Sequence, residues 1–129
     1  IASEKETLLE KLRIALSRQI CSNIADETGN IYGIMIDETL CETLENILVQ
    51  ENEKFVLPPK DPKVNKLVKR VLEIIKNTEY DIGHVAIIST PEIRQELFYL
   101  FEKIVPELAI ISNLEITNDF NVEIIDTID

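Results

Sequence analysis

The chain has 129 residues, 45% of them apolar, with 13 basic and 24 acidic side chains and a formal charge of −11. That length fits one domain or two small subdomains, and the apolar share is enough for a core. The acidic excess runs through both halves, with 6 basic against 11 acidic residues up to Lys60 and 7 against 13 beyond it. Such a field repels nucleic-acid phosphates and anionic lipid, which argues against both as partners. No stretch approaches the ~18 uninterrupted apolar residues of a membrane-spanning helix, and no basic-then-apolar leader opens the chain. A start at Ile1 rather than methionine is what a piece of something longer would show.

Ser3 followed by Glu6 is a capping-box pattern. Leu8, Leu12, Ala15, Leu16, Ile20 and Ile24 then recur at the spacing of one buried helical face. Residues 26–30 (DETGN) are turn chemistry, with Gly29 available for a left-handed position. Residues 31–36 predict a short strand, and Asp37 predicts the cap of a second helix with Leu40, Leu44, Ile47 and Leu48 inward. Gln50 to Lys54 reads as a polar loop. Phe55-Val56-Leu57 reads as an edge strand ended by Pro58-Pro59.

Asp61-Pro62 is a strong helix start, a cap followed by proline at the first helical position. Val64, Leu67, Val68, Val71, Leu72 and Ile75 mark the inner side of that third helix, which residues 77–83 break. A β-α-β unit follows. Val85-Ala86-Ile87-Ile88 is apolar on both faces, as buried parallel strands are. Thr90 and Pro91 open a helix with Ile93, Leu97, Phe98, Leu100, Phe101 and Ile104 on a broad apolar face, and Pro106 ends it. Leu108 to Ile111 predicts the second strand, reached by a right-handed crossover, and residues 122–125 a third. The fold class is therefore α/β, α+β overall. Residues 1–60 are expected to form a helical subdomain with a small sheet, and 61–129 an α/β sandwich. The third helix can belong to either unit, which would extend the first to about residue 80.

Chemistry is sparse. Three glycines build no phosphate cradle, and neither GxSxG nor HExxH occurs. Adjacent acids such as Asp26-Glu27 and Asp37-Glu38 fit turns and first helical turns, where the dipole favours them. Cys21 and Cys41 lie twenty apart with no CxxC, and read as free buried thiols of a reducing compartment. His84 is the single histidine and has no sequence-near Cys or His, so no metal or cofactor is expected. A phosphocarrier or general base at His84 is the enzyme-class alternative, against a histidine satisfied by a local hydrogen bond. Arg18 sits mid-helix among apolar neighbours. Arg94 sits in a first helical turn, where a positive charge meets an unfavourable dipole. Each has either a specific partner or a lone solvated charge.

Two stretches carry a family resemblance. The first is Pro91-Glu92-Ile93-Arg94, Leu97, Leu100, Pro106-Glu107-Leu108-Ala109, Ile110-Ile111-Ser112 and Glu115-Ile116. The second is Leu12-Arg13, Ala15-Leu16 and Arg18-Gln19-Ile20-Cys21. In order and spacing they resemble the C-terminal part of the cytoplasmic domain of type III secretion export gates of the FlhA/InvA type. The resemblance implies a non-enzymatic segment, matching the last two of four cytoplasmic subdomains of a membrane-anchored parent. It implies a nonameric ring on the cytoplasmic face of the bacterial inner membrane, with contacts largely within residues 1 to about 80. It also implies docking of export substrates, their chaperones and other export-apparatus proteins. Arg13, Arg18, Gln19 and Arg94 are the candidate interface residues. Asp37-Glu38 departs from the proline corner usual in that family. The ending, residues 121–128, is closer to virulence (injectisome) members than to flagellar ones. The rivals are a small phosphotransfer or small-molecule-binding α/β domain using His84, and a freestanding adaptor.

Overall fold

The computed structural model describes residues 4–129, the Glu6 side chain excepted. The Ser3–Glu6 capping pattern therefore lies outside the described residues. Helix α1 (Glu4–Ala15) and helix α2 (Ser17–Ile24) replace the single long helix expected there. The chain bends at Leu16 (φ −100°, ψ 16°), whose amide still reaches Leu12 O at 3.1 Å and Arg13 O at 3.0 Å. A turn follows, built on the Asp26 carboxylate, which accepts from Thr28 N and Asn30 N at 2.9 and 3.0 Å. Gly29 there takes φ +82°, a left-handed conformation that favours glycine.

Strand β1 (Asn30–Ile36) leads to α3 (Glu38–Asn46), capped as expected by Asp37, whose carboxylate accepts from Thr39 N at 3.1 Å. Residues 50–54 are not a plain loop. Strands β2 (Val49–Glu51) and β3 (Lys54–Val56) form an antiparallel hairpin. Asn52 and Glu53 join them at φ 50° and 67°, the positive values that a two-residue turn needs to match strand twist. Helix α4 (Pro62–Asn77) starts at the predicted place, with the Asp61 carboxylate accepting from Lys63 N at 2.8 Å. Then come β4 (Val85–Ser89), α5 (Pro91–Glu102), β5 (Ala109–Ser112) and β6 (Asn121–Ile128), with single 3-10 turns at Ile82–His84 and Asn113–Glu115. Thr90 stands at the cap position of α5 but makes no side-chain capping bond. Its hydroxyl is buried without a hydrogen-bond partner among the described residues, and the Cys41 thiol, whose pKa is raised chiefly by burial, donates to Ile36 O at 3.6 Å.

Four strands form one sheet in the order β5-β4-β1-β6, each pair parallel. The small sheet expected within the first 60 residues is the β2–β3 hairpin, whereas β1 lies between β4 and β6 in the four-stranded sheet. The sheet thus crosses the division expected at residue 60. The physical reason is that residues 31–36 are apolar on both faces, and such a strand is stable only inside a covered parallel sheet. Gly33 marks its tightest point, where a Cβ would stand 2.5 Å from Ile88 Cδ1 and 3.1 Å from Ile124 Cδ1. Strand β6 takes an extra residue, Ile125, between the partners of Gly33 and Ile34.

Each face of the sheet has its own core. Ile34, Ile36, Val85, Ile87 and Ile110 pack with residues of α3, α4 and α5, among them Leu44, Val64, Leu67, Val71, Ile93, Leu97 and Phe101. Ile31, Ala86, Ile88 and Ile111 pack with Cys21 and Ile24 of α2. Successive residues of β4 serve opposite faces, which is the period-two alternation of a strand. Phe101 is fully buried, but Phe98 and Ile104, expected on the same inner face, remain 40% exposed. Both cysteines are free and buried, and Cys21 Sγ donates to Glu115 O at 3.1 Å.

Candidate interface

Glu10 and Arg13 are three residues apart on α1 and so share one side of it. That side is turned inward. Arg94, only 4% exposed, donates from Nε to Glu10 Oε1 at 3.0 Å and from Nη2 to Glu10 Oε2 at 3.1 Å. Arg13 donates from Nε and Nη2 to the two oxygens of Glu115 at 3.0 and 2.9 Å. Glu115 is fully buried, and its Oε1 also accepts from Ser112 N at 3.3 Å. Arg94 Nε lies 4.0 Å from Glu115 Oε2, which links the two pairs. Two carboxylates and two guanidinium groups thus alternate. Each buried charge has an opposite neighbour, the condition under which burial of charge is tolerated. Both guanidinium groups also reach Ile110 O, at 3.5 Å from Arg13 and 3.4 Å from Arg94.

With its charged side latched, α1 presents leucines outward. Leu8 and Leu12 of α1, and Leu16 at the bend beyond it, recur at i, i+4 and i+8 and are 64%, 56% and 53% exposed. The sequence expectation that this stripe is buried is therefore corrected. Periodicity identifies an apolar side but not what covers it, and α1 lies against the turn at 113–115 through its polar side instead. Between α1, α2 and α5 runs an open groove of about 510 Å³, with Leu9, Ile20 and Phe98 among its lining residues.

The four candidate interface residues separate into two kinds. Arg13 and Arg94 are engaged within the chain, and Arg94 is too buried to present its charge to another molecule. Arg18 is 77% exposed and pairs with Asp119 at 2.6 Å, and Gln19 Nε2 donates to exposed Asn23 at 3.1 Å. The expectation of a partner for a misplaced first-turn arginine is met at Arg94. Glu10 and Glu115 were missed. The signal available was Arg94 itself, since a buried guanidinium requires a carboxylate somewhere in the chain. His84 Nδ1 lies 2.7 Å from Ile24 O, sixty residues away, so its hydrogen bond is not local. It lines neither the groove beside α1 nor the clefts between α4 and β6. Among the described residues, no group of three His, Cys, Asp or Glu side chains is arranged to hold a metal ion, and no helix is long and apolar enough to cross a membrane.

The FHIPEP family pattern matches residues 1–121. The chain belongs to the FHIPEP family. This is the type III secretion export-gate family that the sequence resembles. A curated FHIPEP-type relative, flagellar biosynthesis protein FlhA of Treponema pallidum (strain Nichols), is 26% identical over 117 residues, covering 90% of this chain and 16% of that protein. Among solved structures, Shigella flexneri MxiA is 24% identical with a TM-score of 0.78, covering 95% of this chain and 39% of that one. Nonameric EPEC SctV-C is 20% identical with a TM-score of 0.74, covering 98% of this chain and 38% of that one. At these identities the structures establish a shared fold, and the present chain spans well under half the length of each relative.

Proposed function

We propose that the chain is a non-enzymatic cytoplasmic segment of a bacterial type III secretion export gate. Its work is self-association into a ring and docking of export substrates and their chaperones, at the cytoplasmic face of the inner membrane through a membrane-anchored parent. The observation that carries this reading is α1. A helix latched on one side by two ion pairs, with Leu8 and Leu12 exposed on the other and Leu16 exposed at the bend that follows, is built to be covered by another surface. A ring uses heterologous contacts, one patch against a different patch on the next copy. The nonameric state of the related SctV-C supports that arrangement. Residues 1 to about 80 are the proposed ring-forming part and the remainder the docking part, with Arg18 and Gln19 beside the contact. The sequence ending supports the injectisome branch over the flagellar one.

The test is Leu12→Glu in the full-length gate. Leu12 is more than half exposed, so the variant should keep its fold and urea midpoint. It should fail to form rings and should stop secretion. Intact rings in that variant would remove α1 from the contact. His84→Ala separates the enzyme-class rival: secretion stays near normal if the histidine is structural, and phosphate uptake at His84 would reopen phosphotransfer.

A further inference from the structure

The even acidity of the two halves conceals a concentration of positive charge. Six of the 13 basic residues fall between Lys60 and Lys76, beside only Asp61 and Glu73, whereas the rest of the chain holds 7 basic residues against 22 acidic. Helix α4 organises them. Its inner side, Val64, Leu67, Val71 and Ile74, is buried. Lys63, Lys66, Lys69 and Arg70, at i, i+3, i+6 and i+7, therefore fall together on the outer side. Among the described residues, the three lysines make no ion pair.

Beside this helix lies β6, which pairs with β1 on one side and ends the sheet on the other. Two clefts run in line between α4 and β6, of about 560 and 430 Å³. The Arg70–Asp126 pair, at 2.7 Å, stands between them. The first cleft is lined by Lys63, Lys66, Lys69 and Arg70, with Glu73 and Asp129 as its acids. Glu73 is already bound to Arg70 at 2.8 Å.

We infer that the α4–β6 groove docks an extended acidic segment of a partner protein. Extension follows from the shape, two clefts in series along residues 125–129 at the end of the edge strand. The free side of β6 offers backbone groups to such a segment, Thr127 N excepted, which Asp126 Oδ1 already takes at 2.9 Å. Acidity follows from the unpaired lysines. Lys63 and Arg70 are seven residues apart, about 10 Å along the helix at ~1.5 Å per residue. Same-side residues of an extended strand recur every ~7 Å, so two carboxylates spaced two residues apart fit within the basic stripe. A long polyphosphate or a lipid surface would extend past the stripe into the acidic remainder, which is why a protein segment is the better fit.

The experiment is an NMR titration of the isotopically labelled 129-residue chain with a hexapeptide alternating valine and glutamate. The control is the same peptide with lysine for glutamate. The expected result is shift changes on β6 and α4 with the acidic peptide only, weakening as salt rises. Lys66→Glu/Lys69→Glu should weaken binding at least tenfold with the urea midpoint unchanged, while Arg18→Glu leaves binding unchanged. Three results would overturn the inference: no shifts at millimolar peptide, shifts confined to another surface, or tighter binding of a ten-nucleotide oligothymidylate or phosphatidylglycerol vesicles through the same lysines.

Discussion

Glu115→Ala isolates the value of a buried ion pair within this fold, because the chain holds an exposed pair of similar length for comparison. The Glu115 carboxylate is fully buried and accepts from Arg13 twice and from Ser112 N once. Its removal leaves a buried amide without an acceptor, a cost of ~1–3 kcal/mol, and an arginine without its partner. Breaking a buried pair by removing one member costs ~3–5 kcal/mol. Arg13 is 25% exposed and can swing toward water, and Arg94 keeps Glu10, so the lower end applies, about 3 kcal/mol. Asp119→Ala breaks the Arg18 pair of 2.6 Å, whose members are 77% and 48% exposed, and should cost at most ~1 kcal/mol. Urea unfolding reads both, with m unchanged if the unfolded states match. Glu115→Gln, which keeps an acceptor for Ser112 N, should fall between them. Amide exchange in α1 should accelerate in Glu115→Ala before that of the sheet, since the latch fixes the helix locally. If Glu115→Ala and Asp119→Ala differ by less than ~0.5 kcal/mol, burial does not decide the strength of these pairs and the latch has no energetic meaning.

Phe101→Ala should cost ~3–5 kcal/mol, as for other fully buried aromatics, a large share of the ~5–15 kcal/mol of a typical domain. Phe98→Ala, on the same helix but 40% exposed, is the control. A loss of comparable size there would contradict the assignment of the core face. Asp26 provides a pH signature. Hydrogen bonds from Asn30 N, then from the Thr28 hydroxyl, lower its pKa from 3.8 to about 2. A carboxyl with a depressed folded pKa contributes stability that is complete above the unfolded value and disappears as pH falls through the folded one. The Asp26 contribution should accordingly be full above pH 3.8 and lost toward pH 2, and absent in Asp26→Asn. A carboxyl NMR titration with its midpoint at the ordinary value would refute it.

The sequence is legible where local chemistry decides the outcome. Asp61-Pro62 located the start of α4, and Asp37 located that of α3, because a cap is a bond between near neighbours. The hairpin at residues 49–56 was harder. Its turn is made by Asn52 and Glu53, and glutamate does not advertise a positive φ. The pairing of β1 with β4 and β6 was out of reach, since parallel partners lie about 50 and 90 residues away and leave no short-range trace. Arg94 was legible as a residue in need of a partner, but which acid answers it depends on how α1 and the turn at 113–115 meet in space. The exposure of Leu8, Leu12 and Leu16 was hidden for the same reason.

The two margins of the sheet are unlike in a way that bears on crowding. At the β5 margin, Ile110 O is held by Arg13 and Arg94, and Ser112 N by Glu115. Charged side chains there occupy backbone groups that a stray strand would otherwise seek, a common protection against edge-to-edge aggregation. Fibre growth needs every unit to offer two open margins, one for the unit before and one for the unit after. This molecule keeps one margin closed with its own ions. Copies brought to high local concentration can meet through β6 at most in pairs, and the sheet cannot propagate.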